Sequence, residues 1–205
     1  MNTFSKLLDL ATGRPLADEA HGRATRLWLV VSALLASLAL AAVWGLAAGS
    51  TQAGLAFTNA YKVPGIVLLS ALAALPAGLL TWKLAGGPGR ATDLVTSFAG
   101  GVLAGTLVLA VSAPIVALFY GSSQVGGPLL GQGSAFLALT VGFLVFGRGV
   151  LGRAAGTRGA RAVPAVVLVV AQLACIVQLI SLASPILPER TGWEHGIDRL
   201  TQRAR

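Results

Sequence analysis

The sequence predicts an all-α fold, a polytopic transmembrane helix bundle of five spans with a short amphipathic helix at each end. Composition points there first: of 205 residues, 55% are hydrophobic and 11% charged, against roughly 25% charged in an average soluble domain. A water-soluble fold this apolar could not cover its own core. The apolar residues are also gathered into long uncharged blocks rather than spaced as in amphipathic strands or surface helices. Finally, the cations sit beside those blocks and not within them.

The five blocks are Leu27 to Ala48, Val63 to Trp82, Leu94 to Tyr120, Leu129 to Gly147 and Val163 to Leu187, with lengths of 22, 20, 27, 19 and 25 residues. As helices they reach roughly 28 to 40 Å, enough for a hydrocarbon core of about 30 Å, and a helix satisfies its own backbone hydrogen bonds there. Trp28, Trp44, Tyr61, Trp82, Phe119 and Tyr120 fall near block ends, where interfacial aromatics belong. Pro64 and Pro164 read as first-turn residues, and Gly86, Gly87, Pro88 and Gly89 stop the second helix. Leu94 to Gly147 is a run of 54 uncharged residues. It reads as a helical hairpin with its turn at Gly121 to Pro128.

The ends differ from the middle. Residues 1–26 form an amphipathic N-terminal segment in which Phe4, Leu7, Leu8 and Ala11 share a face until Gly13 and Pro15 end the pattern. It is expected to lie on the inner membrane surface. In the tail, 188–205, Thr191 and Glu194 have capping-box spacing, and Trp193, Ile197 and Leu200 share a face. A cleavable signal peptide is the competing reading of the first block. The preceding segment, with Asp9, Asp18 and Glu19, and the length of the block argue against it.

Orientation follows from Lys and Arg. Four precede the first block, two lie between the second and third, and four between the fourth and fifth; the alternate flanks hold one, none and four. The positive-inside bias therefore places the N-terminus inside, for which a bacterial cytoplasmic (inner) membrane is the natural setting. The same balance holds for a re-entrant fourth block, with the C-terminus then on the inner side. The formal charge of +8 is thus explained by the bilayer and its anionic lipids, and no nucleic-acid partner is expected.

Candidate functional residues fall into three groups. Ser97, Gly101 and Gly105 recur at four-residue intervals, leaving one helix face almost bare backbone for close packing, within the bundle or between two copies. Gln132, Gln172 and Gln178 are the larger polar residues in the blocks. The last two lie about 120° apart around a helix and so cannot line one stripe. With Pro76 and Pro114, which interrupt helical hydrogen bonding, they are the features a transporter would need. Arg148, Arg153, Arg158 and Arg161 make the fourth loop cationic, fitting contact with anionic lipid or an acidic protein.

No block contains Asp, Glu, Lys, Arg or His, which counts against proton relays, ion-coupled pumps and voltage sensors. His21 and His195 lie outside the blocks, so Gly121-Ser122-Ser123 lacks a histidine at its depth and reads as a turn rather than a protease nucleophile. No metal pair or phosphate loop is present, and no cofactor is expected. Cys175 is the single cysteine and can form no intrachain disulfide.

Through Tyr61-Lys62-Val63-Pro64, Leu75-Pro76, Ala113-Pro114 and Gln172, the chain resembles a group of small uncharacterised bacterial membrane proteins that share a Lys-x-Pro opening to one helix. More distantly, its layout is similar to the five-span Yip family of membrane-trafficking proteins. The resemblance covers roughly Ala60 to Leu187. In that bacterial group a tryptophan and an arginine tend to follow the glutamine, and Leu173 to Leu187 has neither. No activity or binding residue is implied. The expectation from sequence is a non-enzymatic scaffold or accessory subunit with a protein partner or a second copy of itself; the alternative is a transporter or channel component for a small solute.

Overall fold

A computed structural model describes residues 3–14, 23–86, 90–123, 125–152, 158–184 and 186. These residues form an all-α polytopic bundle, with helices α1 (Thr3–Ala11), α2 (Arg23–Ala48), α3 (Ala53–Leu84), α4 (Ala91–Ser122), α5 (Gly126–Leu151) and α6 (Arg158–Ala183). The last five are long and apolar enough to cross a membrane. The chain is an integral membrane protein.

The first four predicted blocks each lie within one of these helices, which are longer, and the fifth overruns the end of its helix. α3 begins at Ala53, ten residues before Val63. Uncharged Ala53 to Ala60 continues the helix, and the single Lys62 does not stop it, because an interfacial lysine keeps its ammonium in water while its stem remains helical. Pro64 and Pro164 consequently lie inside α3 and α6 rather than in first turns. α5 runs to Leu151 and takes in Arg148, so the fourth block is a full-length helix. The turn before it shrinks to a few residues after Ser122, with Pro128 in the first turn of α5. α6 ends at Ala183, earlier than Leu187; Pro185 follows in sequence, and the residue before a proline is driven out of the α region. Gly86, at φ +63, supplies the left-handed residue just past α3.

Contacts fix the directions. Gly45 abuts the Asn59 backbone and Gly49 that of Ala56, so α2 and α3 are antiparallel. Gly101 meets Gly142 and Gly105 meets Ala138, which makes α4 and α5 antiparallel; Gly78 meets Leu168 while Asn59, nearer the start of α3, reaches Ile186 just past α6, so α6 runs back along α3. α2 and α4 are parallel, their first turns joined by Arg26 and Asp93. One end of the bundle therefore carries the start of α2, the α3–α4 connection and the α5–α6 connection.

Packing is layered along this axis. Toward the N-terminal end of α2, Trp82, Leu94, Phe98, Phe146, Val150 and Leu168 bring α3, α4, α5 and α6 together. Toward the other end, Trp44, Ala48, Val63, Leu109, Ala113 and Ala138 join α2, α3, α4 and α5. α1 completes a third group, with Leu10 buried against Ala33, Ala99 and Leu103. The face it docks is Leu7, Leu10 and Ala11, while Phe4 and Leu8 are exposed.

Candidate functional site

Ser97, Gly101 and Gly105 are all buried and line the seam between α4 and α5. A Cβ added at Gly101 would stand 2.7 Å from the Gly142 carbonyl oxygen, and one at Gly105 2.8 Å from that of Ala138. One at Gly142 would return the encounter, 2.9 Å from the Gly101 oxygen. Backbone thus meets backbone, as small-residue spacing permits. Phe98 and Phe146 close the same seam edge to face, centroids 5.5 Å apart. This face is used within the chain and is not open to a second copy.

The glutamines do not converge. Gln172 is buried on the face of α6 that carries Leu168, whereas Gln178 is exposed. Gln132 is half-buried near the start of α5. Smaller polar side chains are turned onto their own helices: the Ser37, Ser70, Thr96, Thr106 and Ser112 hydroxyls donate to carbonyls three or four residues back. Such bonds satisfy the hydroxyl where it stands. Pro76 and Pro114 both face outward.

The cationic loop also divides. Arg148 is exposed on the last turn of α5. Arg153 lies outside the described residues, and Arg158 opens α6, its side chain outside them as well. Arg161 was expected among the lipid or partner contacts; instead it is 6% exposed, and its Nη1 donates to the Leu151 carbonyl oxygen at 3.1 Å. A cation at the C-terminus of α5 meets the negative end of that helix, so Arg161 joins α5 to α6.

Three polar contacts have no counterpart among the sequence candidates. Arg26 Nη1 donates to Asp93 Oδ1 at 2.6 Å, with the two side chains 8% and 13% exposed. Asp93 Oδ2 also accepts from the Arg90 backbone N–H at 3.4 Å, closing a capping box. This pair holds the first turns of α2 and α4 together. A signal for it exists, since Asp93 is the single acidic residue between Glu19 and Glu189. The second contact is Asn59, fully buried in α3, whose Nδ2 donates to the Ile186 carbonyl oxygen at 2.6 Å. It ties the segment after α6 to α3. Across the bundle, Trp44 Nε1 donates to Ser134 Oγ at 3.0 Å, and that hydroxyl donates to the Gly131 oxygen.

Among the described residues no group of three His, Cys, Asp or Glu side chains is placed to hold a metal ion. The tail with Thr191, Trp193, Glu194, Ile197 and Leu200 lies outside the described residues. No family model, curated protein or solved structure matches the chain.

Proposed function

We propose that this membrane protein works by association, as a non-enzymatic scaffold or accessory subunit of a larger membrane assembly. The observation that carries the proposal is the state of its interior. The hydroxyls of Ser70, Thr96 and Thr106 are bonded within their own helices, and the α4–α5 seam is closed backbone to backbone. A bundle packed in this way offers surfaces rather than a passage. α6 is the least covered of the five long helices, with Val163, Val166, Val170, Val177 and Ile180 facing outward. A partner helix would lie there. Ten of the fifteen Lys and Arg fall on the side of the N-terminus, which supports a cytoplasmic N-terminus in a bacterial inner membrane.

Purification in mild detergent followed by intact-complex mass spectrometry tests this. A stoichiometric partner or a defined oligomer is the expected result. A lone protomer, with no partner cross-linked in native membranes, would end the proposal. Gln172, buried on α6 beside the proline-bearing α3, favours the second reading, a transporter or channel component. That reading requires a liposome solute flux that Gln172→Leu abolishes.

A further inference from the structure

α1 is docked more deeply than a surface helix. Leu10 lies against Gly100 of α4 so closely that a Cβ at Gly100 would stand 2.6 Å from the Leu10 carbonyl oxygen, and it packs on Ala33 of α2. Gly100 is six residues beyond Leu94, and Ala33 six beyond Leu27. The level at which both apolar blocks begin is marked by the Arg26–Asp93 pair. Two helices thus give the same depth for Leu10, about 9 Å inside that level at 1.5 Å per residue. This is the depth, roughly 5 to 10 Å, at which membrane-embedded amphipathic helices lie.

Phe4, 72% exposed, and Leu8, 48% exposed, face away from the bundle on this sunken helix. At its C-terminal end Gly13, at φ +71, turns the chain onto the last turns of α5, where its Cβ position would be 3.3 Å from Arg148 Cβ. Arg14 follows immediately, its side chain 76% exposed and only loosely paired with Asp9 at 3.7 Å. Arg148 is exposed too and directly follows the uncharged block that ends at Gly147. Two exposed arginines, one residue after Gly13 and the other beside it, therefore stand where the uncharged block of α5 ends, at the end of α1 whose outer face is apolar.

From this arrangement we infer that α1 and the last turn of α5 form a binding site for an anionic phospholipid. Arg14 and Arg148 take the head-group phosphate, and Phe4 and Leu8 contact the acyl chains. Guanidinium groups suit a phosphate because they offer paired donors in a plane, and the low dielectric beside the hydrocarbon strengthens the attraction. The site does not depend on the scaffold reading.

The test uses full-length protein with Cys175→Ser and Phe4→Cys, labelled with a fluorophore and reconstituted in vesicles of brominated phosphatidylglycerol or brominated phosphatidylcholine at equal mole fractions. Both lipids should quench the label, phosphatidylglycerol more strongly, and aqueous iodide should not. Arg14→Gln with Arg148→Gln should remove the phosphatidylglycerol preference and leave quenching by phosphatidylcholine intact, which also reports that α1 is still docked. Quenching by iodide would place α1 in water, and no quenching by lipid or iodide would mean that protein covers it. Either result overturns the inference, as does equal quenching by the two lipids in the parent protein.

Discussion

The α4–α5 seam and the α3–α6 seam join antiparallel helices by different means. In the first, glycines oppose carbonyl oxygens: Gly101 and Gly142 each stand where a Cβ on either would strike the other's backbone. In the second, a glycine opposes a side chain. A Cβ at Gly78 would lie 2.5 Å from Leu168 Cδ1 and 3.0 Å from its Cβ. A side chain can change rotamer or be trimmed, whereas a carbonyl moves only if its helix moves. The two seams should therefore tolerate change unequally, although both depend on glycine.

Gly101→Leu should have the largest effect, a loss of more than about 3 kcal/mol as bulk is forced against a fixed carbonyl, read as loss of the monodisperse peak of folded protein in detergent. No trimming of a neighbouring side chain should rescue it. On the same helix, Asp93→Ala removes one member of the buried Arg26–Asp93 pair and should cost about 3 kcal/mol, the lower end for breaking such pairs. Unfolding in the presence of denaturing detergent would measure it. Gly78→Ala should cost about 1 to 2 kcal/mol, and here Leu168→Ala should recover part of the loss; a double-mutant cycle without coupling would erase the distinction between the seams. Asn59→Leu gives up the bond to Ile186 and should destabilise by about 1 kcal/mol, near the usual range for interhelical bonds in membranes, with increased protease sensitivity after Ala183 as a second readout. Gln178→Leu, at an exposed position, should fall within about 0.5 kcal/mol of the parent.

The five long helices were legible because membrane helices are written as uncharged runs, and the backbone leaves few alternatives in a bilayer. Their ends were less so. Charge marks where hydrocarbon stops, not where helix stops, so Lys62, Arg26 and Arg148 were read as boundaries although each is helical. The spacing of Ser97, Gly101 and Gly105 announced a close-packing face, but not that α5 would fill it. Arg161 and Asp93 escaped for a related reason. Each lies just outside an apolar block, where sequence predicts contact with water or head groups, and each is turned inward by a partner distant in sequence or across a turn. Asn59 escaped because the predicted block began at Val63, four residues beyond it.

The docking of α1 also constrains the order in which the protein is assembled. Gly100, which Leu10 abuts, follows it by 90 residues, and Val145 and Arg148, which Gly13 abuts, follow Gly13 by 132 and 135. At a synthesis rate of about 5 to 20 residues per second, roughly 5 to 20 s pass before α4 reaches Gly100, and longer before α5 is complete. α1 is thus made before the helices that hold it. During that interval Leu7 and Leu10, which pack against α2 and α4 in the finished bundle, have only α2, the nascent membrane or a chaperone to cover them. α1 precedes α4 and α5 on the ribosome and finds its place only after them.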